Sequence, residues 1–135
     1  MFLQNKYTVW YYQLINNADN RLHDPTQYYE IHHIVPRCMG GTNDKSNLVK
    51  FTGREHYIAH MLLVKMTTSV ANRKMKFAVW NMLSSNTEQR RYIPCNRQYE
   101  SIKQQMARAI SDHNKGKSIT EEHKEKLRQY TPWNK

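Results

Sequence analysis

The chain of 135 residues contains only two cysteines, Cys38 and Cys95. They are too few and too widely separated for a disulfide framework, and they form no CxxC pair for zinc. We therefore expect two free thiols and a reducing compartment. No segment approaches the roughly eighteen apolar residues of a membrane-spanning helix, and the N-terminus lacks the features of a signal peptide. These absences predict a cytoplasmic protein that does not enter a membrane.

Acidic residues are scarce relative to basic ones, with 11 Asp and Glu against 21 Lys and Arg and a formal net charge of +10. The excess is uneven, because residues 1–29 are balanced whereas residues 97–135 contain nine basic and five acidic side chains. Such a charge favours a polyanionic partner, with nucleic acid first and an acidic membrane second. Mean hydropathy is low, at -0.91, so we expect a single domain with a small core.

The periodicity of apolar residues predicts an α+β fold in which a short β-hairpin is flanked by helices. The predicted helices cover residues 6–17, 53–66, 71–83, 99–110 and 121–130, the predicted strands 28–36 and 48–51, and a polar connector 84–94. Thr52 and Glu55 have the spacing of a capping box, which places the start of the second helix there. Trp10, Tyr11 and Trp80 lie on apolar helix faces and are predicted to be core residues rather than platforms for nucleic-acid bases.

The segment EIHHIVPRCMGGTNDKSNLVKFTGREHYIAH, residues 30–60, carries four histidines and an asparagine whose pattern predicts a metal site. His56 and His60 are four residues apart in a predicted helix, so their side chains lie on one face. His32 lies on the preceding strand and can supply a third imidazole. Three imidazoles leave coordination positions open for water and phosphate, as a catalytic metal requires.

The neighbouring side chains indicate how such a metal would be used in phosphodiester hydrolysis. The pKa of a histidine is near neutrality, which suits His33 to take a proton from water. A bend before Pro36 would present His33 to a phosphate while His32 faces the metal. Asn47, in the second strand, is expected to bridge the backbone across the hairpin and fix His33. Glu30 is expected to orient a metal ligand or pair with a nearby cation.

A structural zinc site is the alternative for this cluster, although three histidines alone rarely close such a site. The helix does not carry the HExxH motif of zinc peptidases, because Tyr, Ile and Ala separate His56 from His60. A DNA-binding module with a structural metal and no catalysis therefore stands beside a nuclease as a second interpretation.

Residues 30–60 resemble the HNH nuclease motif, and residues 6–83 as a whole are similar to the small HNH homing endonucleases common in phage genomes. The resemblance rests on KYTVWYY, YYEIHHIVPRCMGGTNDKSNLVKFTGREHYIAHMLL and KMKFAVWNML. It implies a ββα-metal (His-Me finger) core with flanking helices. The matching site residues are His32, His56 and His60 as metal ligands, His33 as general base and Asn47 as the central asparagine. Many family members carry additional CxxC zinc pairs, and without them this hairpin would depend on packing alone.

The resemblance also implies a metal-dependent endonuclease that hydrolyses DNA phosphodiester bonds as a site-directed phage homing enzyme. Its expected partner is double-stranded DNA, with no small-molecule substrate, and its expected state is a monomer or homodimer in the host-cell cytoplasm. One divalent ion is the expected cofactor, with Mg²⁺ or Mn²⁺ for activity and Zn²⁺ or Ni²⁺ as other ions that fit the site. A less selective HNH nuclease is the alternative within the same class.

The C-terminal segment ISDHNKGKSITEEHKEKLRQYTPWNK resembles a nuclease-associated modular DNA-binding motif, with the pattern S-x-x-x-K-G-K before a charged helix. We therefore expect an HNH nuclease domain at residues 1–95, with its ββα core at 28–66, and an extended helical DNA-binding arm at 96–135. The basic residues expected to contact DNA are Arg37, Lys50 and Arg54 near the metal site and Lys115, Lys117, Lys124 and Arg128 in the arm. A solvated helix of mixed charge is the alternative for the arm, because the helix also contains three glutamates.

Overall fold

The computed structural model describes residues 1–83 and 92–129 and has the predicted α+β fold. Two short strands, β1 (Glu30–His33) and β2 (Leu48–Phe51), form one antiparallel hairpin. The helices are α1 (Lys6–Asp19), α2 (Gly53–Lys65), α3 (Ser69–Met82), α4 (Asn96–Asn114) and α5 (Glu121–Gln129). All five predicted helices are confirmed, although α4 is longer at both ends than predicted. Most of the predicted connector at 84–94, and the end of the last predicted helix, lie outside the described residues.

β1 is shorter than the predicted strand over residues 28–36. The strand ladder ends where His33 lies opposite Leu48. Just beyond this pair, the side chain of Asn47 takes the place of a partner strand by bonding both backbone groups of Val35. The prediction was too long because a pattern of apolar residues does not reveal where a side chain replaces a partner strand.

The hairpin turns one face toward the interior of the protein. Glu30 and His32 are 8% and 3% exposed and lie opposite the buried Phe51 and Val49, whereas the intervening Ile31 is 61% exposed. This follows from the strand period of two, which places residues i and i+2 on one face. β1 therefore presents two polar side chains to the interior, and each needs a polar partner there.

α2 begins at the predicted capping box. Thr52 accepts a hydrogen bond from the Glu55 N–H, and the Glu55 carboxylate accepts one from the Thr52 N–H at 2.8 Å. Arg21, which the sequence analysis did not single out, donates to both Glu55 oxygens at 2.7 and 2.9 Å and to the Lys50 carbonyl. These charge-assisted bonds tie the start of α2 to the loop before β1 and to β2 itself.

The core begins where α1, the hairpin and α2 meet. Its fully buried side chains are Tyr11, Phe51, Leu63, Met66 and Val79. α1 packs on α2 and β2, α2 packs on α3, and α3 packs on α4, whose Ile102 belongs to the same core cluster. α5, in contrast, has no buried residue. Among the described residues, α5 and the segment just before it thus have the exposure of a peripheral arm.

Of the three aromatic residues predicted to be buried, Tyr11 is in the core and Trp80 packs partly against it. The prediction for Trp10 is wrong, since its side chain is 49% exposed. Lys6 lies 5.6 Å from its ring centroid, and Tyr7 contacts it edge-on. Adjacent helix positions point about 100° apart, so Trp10 cannot share the buried face of Tyr11.

Cys38 and Cys95 are both free and exposed. Within residues 1–83 and 92–129, none of the helices combines the length and the apolar composition that crossing a membrane requires. The fold is therefore held by packing and hydrogen bonds around the hairpin rather than by a disulfide in this part of the chain.

Replacing Arg21 with alanine is expected to destabilise the protein by about 1 kcal/mol at pH 7, because the bond to Glu55 is bidentate and only partly exposed. Burial raises the pKa of Glu55, but hydrogen bonds from Arg21 and from the Thr52 N–H outweigh it and hold this pKa below its usual range. A depressed carboxylate pKa stabilises the fold above the unfolded value, roughly 4.3, and this contribution is lost as the pH falls through the folded value. The difference between wild type and Arg21→Ala should therefore shrink between pH 5 and pH 3.

Urea unfolding at pH 7, 5 and 3 measures this difference. Arg54→Ala is the matched control, because Arg54 is an exposed neighbour in the first turn of α2. A difference for Arg21→Ala that stays constant across the three pH values would contradict the role given to the ion pair.

Candidate metal centre

Three imidazoles converge between β1 and α2. His32, His56 and His60 each offer one ring nitrogen, and these nitrogens lie within 4.8 Å of one another. The centroid of the His32 ring is 5.1 Å from each of the other two, which are 4.9 Å apart. Among the described residues, no other group of three His, Cys, Asp or Glu side chains meets in this way. The fold thus brings together the three residues that the sequence predicts as metal ligands.

α2 places His56 and His60 one turn apart on the same face, and their Nε2 atoms are 3.2 Å apart. His56 Nδ1 donates a hydrogen bond of 2.6 Å to Glu30 Oε2, while Glu30 Oε1 accepts one of 2.9 Å from the Tyr28 hydroxyl. A carboxylate can only accept, so Nδ1 of His56 holds the ring proton and Nε2 carries the lone pair. Glu30 therefore lies behind His56, one of the candidate metal ligands.

His32 supplies the third ring from β1. Burial, followed in effect by the neighbouring imidazoles of His60 and His56, lowers the pKa of His32 to about 2. The ring is therefore neutral near pH 7, which is the form that binds a metal. Its Nε2 lies 2.8 Å from the hydroxyl oxygen of Tyr11, which reaches it from α1.

This donor set fits a divalent ion. Two nitrogens that are each about 2.1 Å from a tetrahedral ion lie about 3.4 Å apart, close to the 3.2 Å between the Nε2 atoms of His56 and His60. Neutral imidazoles suit first-row divalent metals, and three of them leave a position open. The buried carboxylate of Glu30 behind His56 is the kind of partner that orients metal-bound histidines.

His33 follows His32 on β1, so its side chain leaves the strand on the opposite face. Both histidines nevertheless line one cleft. Asn43 Oδ1 accepts a hydrogen bond of 2.9 Å from His33 Nε2, which leaves the lone pair on Nδ1. Asn43 was not among the predicted site residues, because an asparagine in a polar turn has no sequence feature that marks such a contact.

Asn47 lies in a 3-10 turn, Lys45–Asn47, directly before β2, so its predicted position within the strand was wrong. Its Oδ1 accepts from the Val35 N–H at 2.8 Å, and its Nδ2 donates to the carbonyls of Val35 and Thr42 at 3.1 and 2.8 Å. These bonds connect the two ends of the loop between the strands. They hold the segment after His33 and make no direct contact with His33 itself.

Gly41 lets this loop close. A Cβ atom on Gly41 would lie 1.7 Å from the Val35 carbonyl oxygen and 2.9 Å from Asn47 Nδ2. The backbone at Val35 cannot move aside without breaking its bonds to Asn47, so a side chain at this position does not fit.

A cleft of about 560 Å³, within the range of ligand-binding clefts, opens onto the histidines. One wall consists of β1 and the 3-10 turn Arg37–Met39, and Arg37 lines it as predicted for a residue near the site. The other wall is α3, which contributes Lys74, Phe77 and Asn81. No local signal in the sequence placed α3, and with it Lys74, across from the histidines.

The other basic residues expected near the metal lie elsewhere. Lys50 lines a separate depression beside Arg21 and Tyr29, and Arg54 lines another beside Thr52. Arg37 alone of the three expected phosphate contacts near the metal therefore lines the histidine cleft.

In the C-terminal segment, three of the four basic residues expected to contact DNA lie beside a partner three or four residues away in the chain. Lys124 pairs with Glu121 at 2.6 Å, Arg128 pairs with Glu125 at 2.9 Å, and Lys117 Nζ lies 2.8 Å from His113 Nε2. Lys115 follows the end of α4 and is exposed. Exposed pairs of this kind contribute little stability, so exchanging them for phosphate contacts costs little.

The chain is similar to several known phage proteins. The chain is 38% identical over 122 residues to the probable mobile endonuclease E of Enterobacteria phage T4, an alignment covering 90% of this chain and 81% of that protein. It is 38% identical over 95 residues to the probable mobile endonuclease C of the same phage, covering 69% of this chain and 42% of that protein. The chain is 54% identical over 59 residues to the probable mobile endonuclease B of this phage, covering 42% of this chain and 22% of that protein. No family model and no solved structure matches the chain.

The alignment with endonuclease E extends over most of both proteins. The chain therefore belongs to a family of phage mobile endonucleases. Its relatives in that family include probable mobile endonucleases of phage T4, of which B and C are matched over less than half of their own length.

Proposed function

We propose that the protein is a metal-dependent DNA endonuclease of the HNH type that hydrolyses phosphodiester bonds, and that it acts as a phage homing endonuclease. The observation that carries this proposal is the convergence of His32, His56 and His60 beside His33 on an open cleft. The names of the phage T4 relatives support the cleavage of nucleic acid within a chain.

The proposal assigns β1, β2 and α2 to a ββα-metal unit. In this unit His32, His56 and His60 hold one divalent ion, with Mg²⁺ or Mn²⁺ for activity and Zn²⁺ or Ni²⁺ as alternative ions. When bound, the ion supplies a Lewis acid that polarises the scissile phosphate and stabilises the leaving 3′ oxygen.

In the proposed reaction, the protein's own residues position the DNA and move a proton. Asn43 keeps the proton of His33 on Nε2, so Nδ1 accepts a proton from the attacking water. Asn47 holds the loop that follows His33 in place. Arg37 and Lys74, on opposite walls of the cleft, would contact phosphates on either side of the cut.

A plasmid-nicking assay with Mg²⁺ or Mn²⁺ tests the proposal. The wild type should cut supercoiled DNA, and His33→Ala should be slower by roughly 10²- to 10⁴-fold because it lacks the general base. Metal affinity should be unchanged in His33→Ala, since His33 is not a ligand. His23→Ala, in an exposed loop, is the matched control and should cut at the wild-type rate.

Two outcomes would overturn parts of the proposal. Equal cleavage by His33→Ala would remove the assigned base. A wild type that binds metal and DNA but cuts no plasmid with any divalent ion would instead be the metal-stabilised DNA-binding module. Sequencing the ends produced from a random DNA library separates a homing enzyme, which gives one site, from a less selective nuclease.

We further propose that Lys115, Lys117, Lys124 and Arg128 contact the phosphates of double-stranded DNA. Replacing all four with glutamine should reduce the slope of log affinity against log salt by about 0.9 for each phosphate that is no longer neutralised, and weaken binding at low salt. Fluorescence anisotropy with a labelled duplex measures both quantities. The control replaces four basic residues outside the arm instead, Lys6, Lys45, Lys65 and Arg73, which gives the same net charge. An equal reduction of the slope in both variants would refute a specific role for the arm.

A further inference from the structure

Tyr11 reaches the metal centre from α1, outside the hairpin and helix that carry the histidines. Its side chain is fully buried, and its hydroxyl oxygen lies 2.8 Å from His32 Nε2 and 2.8 Å from the Ile34 carbonyl oxygen. His32 and Ile34 flank His33 in the chain. One hydroxyl therefore contacts the residues on both sides of the proposed general base.

The two contacts determine where the protons lie. A hydroxyl has one proton to donate, and a carbonyl oxygen can only accept. Tyr11 therefore donates to the Ile34 carbonyl, and its oxygen accepts a hydrogen bond from His32 Nε2. The reverse arrangement would leave two oxygen atoms 2.8 Å apart without a proton between them. His32 is thus held in the tautomer that has its proton on Nε2 and its lone pair on Nδ1.

We propose that Tyr11 is a positioning residue that selects Nδ1 of His32 as the atom that binds the metal, an inference that rests on the metal centre in the proposed function. Glu30 acts on His56 in the same manner but on the other nitrogen, because it holds the proton of His56 on Nδ1. His32 would therefore bind the metal through Nδ1, the ring nitrogen nearer the backbone, whereas His56 would bind it through Nε2. Fixing the tautomer and orientation of a ligand in this way raises metal affinity.

Tyr11→Phe tests the inference, since it removes the hydroxyl and keeps the ring in the core. In the metal-free wild type, long-range ¹H–¹⁵N NMR spectra should show the His32 ring protonated on Nε2, and in Tyr11→Phe the two tautomers should be mixed. Isothermal titration with Zn²⁺ should give an affinity 10- to 100-fold lower than wild type. Tyr12→Phe, which removes the hydroxyl of the adjacent residue, itself 45% exposed, should leave both measurements unchanged.

A wild-type His32 protonated on Nδ1, or a Zn²⁺ affinity unchanged in a folded Tyr11→Phe, would overturn the inference. The spectrum of the wild type alone provides the first of these tests if the variant does not fold. If the enzyme cuts DNA but Tyr11→Phe has the wild-type affinity, only this inference fails. If both expected effects appear but no DNA is cut, the proposed nuclease activity fails and the inference stands.

Discussion

Replacing His56 with alanine is expected to abolish both metal binding and DNA cleavage. The change removes one of the three proposed nitrogen ligands. It also removes one of the two hydrogen-bond partners that the described residues provide for the buried Glu30 carboxylate. Removing one member of a buried pair costs roughly 3–5 kcal/mol when a charge is left behind, and the remaining bond from Tyr28 offsets part of that cost. We therefore expect a protein that is less stable as well as metal-free.

The test compares metal content by mass spectrometry, plasmid cleavage and urea unfolding in His56→Ala, Glu30→Gln and the loop control His23→Ala. Glu30→Gln keeps an acceptor for His56 Nδ1, so it should retain the ion with roughly 10- to 100-fold lower affinity. Full metal content in His56→Ala would contradict its role as a ligand. If Glu30→Gln lost as much metal and activity as His56→Ala, this would contradict the expectation that Glu30 affects the metal only through its hydrogen bond to His56.

Replacing Asn47 with alanine is expected to cost about 2–4 kcal/mol of stability and most of the activity. The change removes three hydrogen bonds, so the N–H of Val35 and the carbonyls of Val35 and Thr42 no longer have this partner. A part-buried polar group without its partner costs roughly 1–3 kcal/mol. Once released, the loop no longer fixes the direction in which the chain leaves His33.

Asn43→Ala is the matched control for Asn47→Ala. It removes the contact with His33 Nε2 but leaves in place the hydrogen bonds by which Asn47 connects the two ends of the loop. We expect wild-type stability with reduced cleavage for Asn43→Ala, and a decrease in both for Asn47→Ala. Unfolding curves and cleavage rates measured on the same preparations distinguish the two effects. An Asn47→Ala protein as stable as wild type would show that the hydrogen bonds from Asn47 to Val35 and Thr42 do not stabilise the loop.

Features that depend on local sequence were predictable in this chain. The capping box at Thr52 sets the start of α2, and a helix period of 3.6 then places His56 and His60 on one face. Alternation along β1 places His32 on the inner side. Each of these inferences uses residues that are close in the chain, so the three metal-ligand candidates could be named from the sequence.

Features that depend on contacts between distant segments were not predictable. Arg21 reaches Glu55, and Tyr11 reaches His32, across loops whose path no periodicity specifies. The placement of Lys74 opposite the histidines follows from the packing of α3 on α2. The sequence indicated which side chains could bind a metal, whereas the groups that orient them became visible only in the folded structure.

The tight fit at Gly41 has a consequence for how such an enzyme can change. A side chain there would collide with the Val35 carbonyl, so this position cannot take another residue while the loop keeps its bonds to Asn47. For the proposed homing endonuclease, a change of target site would therefore involve surfaces other than this position. The exposed side chains that α3 contributes to the cleft, and α5 with no buried residue, can diverge while the hairpin stays as it is.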